Sequence, residues 1–211
     1  PKVAGFDPPY QVIISDPPWQ YLQFTSPLNG AAAGHYDTMT AEAIGEIPVA
    51  KWADKNSALF LWGTWPCVGE AIHVMKAWGF EQIAGIPWIK TFPPKGEVKR
   101  GIGFWTAGVS EYVLIGKRGI PKRKKIDVLG LLNGESGREA FYAPIGSHSA
   151  KPIRFTTWVE SIFPEAKRLE LFARRERRGW TTLGRKLGHD LGPWGVRPYE
   201  PPEPKEGLFE R

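Results

Sequence analysis

The sequence predicts an α/β fold, a mostly parallel sheet with helices on both faces. Three observations predict it. Short apolar bursts, each the length of a buried strand, alternate along the chain with stretches that carry helix start and stop signals. The composition is that of an ordinary globular chain: 211 residues, 42% hydrophobic and 24% charged, enough for one domain with a sizeable core. No internal repeat is present, which argues against a solenoid or propeller.

Val12-Ile13-Ile14 reads as a short buried strand. Residues 40–54 read as a helix with Thr40 as its N-cap. Ala58-Leu59-Phe60-Leu61-Trp62 is the second strand. Pro66 stands at the start of the next helix and Gly79 just past its end, the usual asymmetry of helix termini. Ile83 to Ile89 is a third strand, Tyr112-Val113-Leu114-Ile115 a fourth, and a short strand is expected around Phe141-Tyr142. Pro152 opens a helix that runs to about Phe163. Leu169-Glu170-Leu171-Phe172 is the last strand. Residues 91–109, with Pro93, Pro94 and several glycines, and residues 117–138, with a basic run, read as loops. The chain thus divides into a domain over 1–190 and a tail over 191–211. The tail carries five prolines and is expected to be extended or disordered.

Charge and special residues narrow the function classes. The formal net charge is +6 and the isoelectric point near 9.4, which permits a polyanionic partner. The single cysteine, Cys67, excludes an intrachain disulfide and fits a reducing compartment. The four histidines, at 35, 73, 148 and 189, show no ligand spacing, so no metal is expected. There is no signal peptide and no apolar run of membrane length, so the expectation is an intracellular protein with no membrane partner. Ten tryptophans imply a large aromatic core or flat surfaces for planar ligands.

Sheets of this class bind ligands at the carboxyl ends of their strands. Val12-Ile13-Ile14-Ser15 runs straight into Asp16-Pro17-Pro18-Trp19. The prolines stiffen the turn and remove two N–H groups, which leaves carbonyl oxygens as acceptors. Asp16 adds a carboxylate and Trp19 a flat face. The exocyclic amine of adenine has two N–H donors. A carboxylate and a carbonyl that accept both hold the nitrogen and favour a lone pair able to attack an electrophilic methyl. This is positioning and electrostatics, without a strong base. Read alone, the motif fits a proline-rich turn equally well. The chain supplies its own control, because Asp7-Pro8-Pro9-Tyr10 repeats the pattern. That copy precedes the apolar strand, at its amino end, so the strand-edge rule selects Asp16.

Further segments carry a resemblance. They are Asp16-Pro17-Pro18-Trp19, His35-Tyr36-Asp37-Thr38-Met39-Thr40, Leu59-Phe60-Leu61-Trp62, Ala77-Trp78-Gly79-Phe80, Trp88-Ile89-Lys90-Thr91, Glu111 before Val113-Leu114-Ile115-Gly116, His148-Ser149-Ala150-Lys151-Pro152, Leu169 to Arg174, and Gly179-Trp180. In this order they resemble the MT-A70 family of N6-adenine methyltransferases over most of the chain, from about Val12 to Leu187. The resemblance implies a Rossmann-like class I methyltransferase fold and S-adenosyl-L-methionine as cofactor. It makes Asp16, Pro17, Pro18 and Trp19 the catalytic positions. It places Tyr36 near the target base, and Lys151 near both the target and the cofactor's carboxylate end. Asp16 is shared with the cofactor side. Glu170, Leu171, Phe172 and Arg174 line the adenosine and ribose, where a carboxylate such as Glu170 can accept from ribose hydroxyls. The family's Asn-Gln cofactor pair is replaced here by Arg185-Lys186, which follow Leu183-Gly184.

Other residues have competing readings. Lys90, at a strand end beside the 91–109 loop, is a candidate for substrate binding. Glu111 orients a loop cation if its strand is central. His148 serves a turn or the site. Trp62 and Trp88 read as core or pocket wall. Lys122, Arg123, Lys124 and Lys125, and with them Arg175, Arg177 and Arg178, form two basic runs that are either solvated faces or phosphate contacts. Phe104-Trp105 is core or a stacking loop. The expected function is methylation of adenine N6 in nucleic acid, DNA favoured over RNA, in a bacterial or phage-infected cytoplasm. The expected partners are nucleic acid and a second copy or a methyltransferase-like subunit. Kept beside it are RNA methylation, a non-catalytic nucleic-acid-binding subunit, and methylation of cytosine N4 or a glutamine.

Overall fold

The first apolar burst lies within β1 (Tyr10–Ser15), the strand around which the sheet is arranged. This computed structural model describes residues 5–20, 38–92, 97–98, 108–124, 140–146, 150–191 and 197–198. In chain order β1 is followed by α1 (Ala41–Gly45), α2 (Val49–Trp52), β2 (Ala53–Gly63), α3 (Val68–Ala77), β3 (Glu81–Thr91), β4 (Ser110–Arg118), β5 (Phe141–Pro144), α4 (Ile153–Ile162), β6 (Arg168–Leu171) and β7 (Thr181–Leu183). These seven strands form one sheet in the order β5-β3-β4-β2-β1-β6-β7. All neighbours pair in parallel except β4, which runs against both β2 and β3. The sheet is therefore mostly parallel, as the sequence predicts.

Side chains alternate across the sheet and build two core layers. Ile13, Leu59, Leu61, Tyr112, Leu114, Leu169 and Leu171 pack with Ile44, Val49, Trp52, Val74 and Met75 of α1, α2 and α3, and with Trp78 at the end of α3. Val12, Ile14, Phe60, Trp62, Trp88 and Val113 pack with Phe155, Trp158, Val159 and Ile162 of α4. Helices thus cover both faces. Each fully buried large side chain contributes about 1.5–3 kcal/mol. The two layers, more than any one element, hold the strand ends in place.

The elements differ from their sequence-based bounds in several places. The helix expected over 40–54 is two short helices. Thr40 does cap α1, its hydroxyl accepting the Ala43 N–H at 3.2 Å. Pro48 then breaks the run, because it has no N–H and disfavours helical geometry in the residue before it. From Ala53 the chain is claimed by pairing with β1. The 91–109 segment is not all loop: Thr91 bridges Val98, and the Phe92 N–H donates to the Glu97 carbonyl at 2.8 Å. β4 reaches Arg118, so the second loop starts later than expected. β7, three residues long, was not expected. The segment from Leu191 begins inside the core, since Leu191 is buried. His189–Asp190 (β8) also pairs with Arg197–Pro198 (β9). Among the described residues no helix is long and apolar enough to cross a membrane.

Candidate active site

The sheet's strand parity assembles the site. Ile14, Trp88 and Val113 belong to the α4-side layer. Two residues from each along its strand are Asp16, Lys90 and Glu111, so all three face the same side. Lys151 enters at the same place, just ahead of α4. Its Nζ lies 2.9 Å from Asp16 Oδ1 and 3.2 Å from Glu111 Oε2. Lys90 Nζ lies 2.6 Å from the other Glu111 oxygen. The result is an alternating chain, Asp16, Lys151, Glu111, Lys90, with two positive and two negative groups. Trp62 and Trp88 underlie it, their ring centroids 5.6 Å from Lys151 Nζ and 5.5 Å from Lys90 Nζ.

The charges hold one another in their ionised forms. Burial alone raises the Glu111 carboxyl, but the Lys151 and Lys90 ammonium groups outweigh it and leave the group below its ordinary value. Burial likewise works to lower Lys151, and the carboxylates of Asp16 and Glu111 reverse it, so that the amine is held above its ordinary value. Lys151 is thus an ammonium that grips and neutralises Asp16. It is not a base.

The motif itself is a folded turn. The Asp16 N–H reaches the Leu171 carbonyl at 3.5 Å, which ties the end of β1 to the end of β6. The Trp19 N–H donates to the Pro17 carbonyl at 2.9 Å, and the Met39 N–H to the Pro18 carbonyl at 2.8 Å. A carbonyl has two lone pairs, so Pro17 retains one acceptor position. Trp19 is 7% exposed, and its Nε1 donates to the Trp62 carbonyl at 2.9 Å. Most of its indole is therefore packed in the helix-covered layer of α1 to α3. With Lys151 on Oδ1, the second oxygen of Asp16 is the acceptor the site offers to an incoming N–H.

The neighbouring strand end holds the next group of residues. β1 and β6 pair Ile14 with Glu170 and Ser15 with Leu171, so Glu170 shares the face of Asp16. The Glu170 carboxylate accepts from Arg177 Nε at 3.0 Å. Leu171 is buried. Phe172 is half-buried and adopts a left-handed backbone, φ 60°, which turns the chain sharply at the strand end. The Ala173 N–H then donates to the Leu183 carbonyl at 2.9 Å. At Gly184 a Cβ would lie 2.2 Å from the Ala173 carbonyl oxygen, so only glycine lets β7 approach this turn. Arg174, Arg175 and Arg178 are exposed, as are Lys122, Arg123 and Lys124. Tyr36, Lys125, His148 and the Phe104-Trp105 pair lie outside the described residues. A cavity of about 550 Å³ sits beyond β7, lined by Arg177, Arg178, Trp180, Thr182 and His189 among others. Asp16 and Lys151 do not line it, so the charge chain at the strand ends marks the site better than the cavity does.

The structure thus brings together Asp16, Pro17, Lys90 and Lys151, and sets Glu170 to Phe172 beside them. It gives Glu111 and Trp62 larger parts than the sequence does: Glu111 joins the two lysines, and Trp62 supplies the carbonyl that seats Trp19. Strand parity was the available signal for Glu111. Asp7 is far from all this. It lies at the amino end of β1 and pairs with Lys167 at the surface.

Comparison with known proteins gives concordant matches. The MT-A70 family model matches residues 10–186. The chain is 26% identical over 196 residues to the type II methyltransferase M.MunI of Mycoplasma sp., covering 84% of this chain and 78% of that protein. It is 26% identical over 181 residues to the human N(6)-adenosine-methyltransferase catalytic subunit METTL3, covering 84% of this chain and 28% of that one. An Arabidopsis thaliana N(6)-adenosine-methyltransferase MT-A70-like protein matches equally, with 24% of its length covered. The chain therefore spans about a quarter of the plant and human relatives and about three quarters of the Mycoplasma one.

Proposed function

The chain belongs to the MT-A70 family, and from that premise and the site's geometry we propose that it methylates the exocyclic N6 amine of adenine in nucleic acid, DNA favoured over RNA. The observation that carries the reading is the Asp16–Lys151 pair at the carboxyl end of β1, tied through Glu111 to Lys90. Asp16 Oδ2 and the free lone pair of the Pro17 carbonyl accept the two N–H groups of the amine. They orient its nitrogen outward from the strand end. Lys151 keeps Oδ1 occupied and the carboxylate fixed, so Asp16 acts as a placed acceptor.

S-adenosyl-L-methionine, when bound, supplies the electrophilic methyl. The residues beside Asp16 fit such a group. Glu170 offers a carboxylate to ribose hydroxyls, with Arg177 steadying it. The half-buried Phe172 offers a ring to the adenine, Arg174 a cation to the ribose or to Glu170, and Lys151 a cation to the amino-acid carboxylate. Preference for DNA rests on the match to the Mycoplasma type II methyltransferase, of which this chain covers 78%. The same relative supports a bacterial or phage-infected cell as the setting.

The test incubates the protein with labelled methyl donor and single- and double-stranded DNA and RNA oligonucleotides that contain adenine. The reading expects label in at least one DNA. Label in RNA alone would replace DNA by RNA, and label in none would overturn the function.

A further inference from the structure

Trp65 stands two residues past the carboxyl end of β2, the strand paired with β1. It is 51% exposed. Its indole is nonetheless fixed. Nε1 donates to Ser110 Oγ at 2.9 Å, and the ring leans on Tyr112, centroids 5.1 Å apart at 60°. Tyr112 is itself buried against Gly63, where an added Cβ would lie 2.4 Å from the Tyr112 hydroxyl oxygen. The short turn Trp65–Cys67 then anchors in the core through Cys67. Its polar edge is satisfied and one side supported, so what Trp65 presents to solvent is aromatic carbon.

Its location gives this surface a use. Ser110 adjoins Glu111, which holds Lys90 and Lys151. Trp62, three residues earlier, seats Trp19 and underlies Lys151. Trp65 therefore lies at the same carboxyl edge of the sheet as Asp16 and Glu111, on the face opposite the Glu111 side chain, on a chain of net charge +6. Isolated exposed apolar side chains such as Ile83, Ile120 and Ile153 need no explanation. A rigidly held indole at the sheet edge that carries the candidate site is different, because a pre-set flat face loses little freedom when a base stacks on it.

We propose that Trp65 is a stacking platform for a base of the nucleic-acid substrate other than the target adenine. This rests on the proposed methyl transfer to nucleic acid and adds to it a second point of contact. It gives the protein a grip on flanking nucleotides that tolerates any base, because every base has a π-face.

The test measures binding of a labelled oligonucleotide with a single adenine to the wild-type chain, Trp65→Phe and Trp65→Ala. An abasic site is moved through the positions flanking the adenine. Trp65→Ala is expected to weaken binding about fivefold to a hundredfold and Trp65→Phe far less. Affinity for S-adenosyl-L-methionine should be unchanged in both. At one flanking position the abasic site should weaken the wild type and not Trp65→Ala. The proposal is overturned if Trp65→Ala binds like wild type, or if no flanking position shows this coupling. It is equally overturned if the variant changes the oligomeric state instead, which would assign the ring to a protein interface. Failure of the enclosing function shows separately, as a wild-type chain that labels no nucleic acid at all.

Discussion

Replacing Glu111 by glutamine removes one charge from the middle of the Asp16–Lys151–Glu111–Lys90 chain and leaves the shape nearly intact. At 2.6 and 3.2 Å from its two ammonium partners, each attraction is about 5–6 kcal/mol at an effective dielectric of about 20. Much of that offsets the cost of burying the charges. Breaking a buried pair from one side costs about 3–5 kcal/mol. Lys90 keeps 26% of its side chain exposed and can turn to water, so the low end, about 3 kcal/mol, is expected. With a urea slope of about 2 kcal/mol/M, the unfolding midpoint falls by about 1.5 M and the slope stays constant. Lys151 loses one of its two carboxylates, Asp16 loses its fixed cation, and kcat falls by about tenfold or more. Glu111→Asp, one methylene shorter, restores the charge and should recover part of both. A Glu111→Gln midpoint within about 0.3 M of wild type, with kcat unchanged, would refute the claim that Glu111 organises the site.

Three further outcomes follow from the same geometry. Asp7→Ala should leave methyl transfer intact and shift stability by no more than about 0.5 kcal/mol, because Asp7 is an exposed partner of Lys167; loss of activity there would move the site to Asp7-Pro8-Pro9-Tyr10. Stability against pH, followed by thermal unfolding, should have two limbs from the charge chain. Glu111 is held below its ordinary 4.5, so its contribution is complete above that value and is lost as pH falls through the lower folded value. Lys151 is held above its ordinary 10.5, so its contribution is complete below that value and is lost as pH rises through the higher folded value. Glu111→Gln should move the alkaline limb to lower pH, and an unmoved limb would contradict the coupling. Gly184→Ala would place a carbon 2.2 Å from the Ala173 carbonyl oxygen. It should cost at least about 1–3 kcal/mol and weaken S-adenosyl-L-methionine binding, read by calorimetry.

Much of this was legible because it is local. Val12 to Ile14 is apolar and β-branched, so β1 and the motif at its carboxyl end could be placed from the sequence. Pro66 and Gly79 marked α3 for the same reason. Direction and register were not legible. Nothing in Tyr112-Val113-Leu114-Ile115 tells that β4 runs against both neighbours, because alternation has no sign. The pairing of Trp88 with Glu111 is non-local, and without it Glu111 is only a buried acid. Thr181-Thr182-Leu183 is too short to announce a strand and exists because β6 offers it an edge. Arg177 read as one cation in a basic run, and the turn at Phe172 precedes its return to Glu170.

The central claim is that Asp16 presents the adenine amine for methylation. Its most direct test is to digest a labelled oligonucleotide after reaction and identify the methylated nucleoside by mass spectrometry, for the wild type and for Asp16→Ala. The account predicts N6-methyladenine as the sole product of the wild type and none from the variant. Methyl found on cytosine N4, or N6-methyladenine formed undiminished by Asp16→Ala, would contradict it.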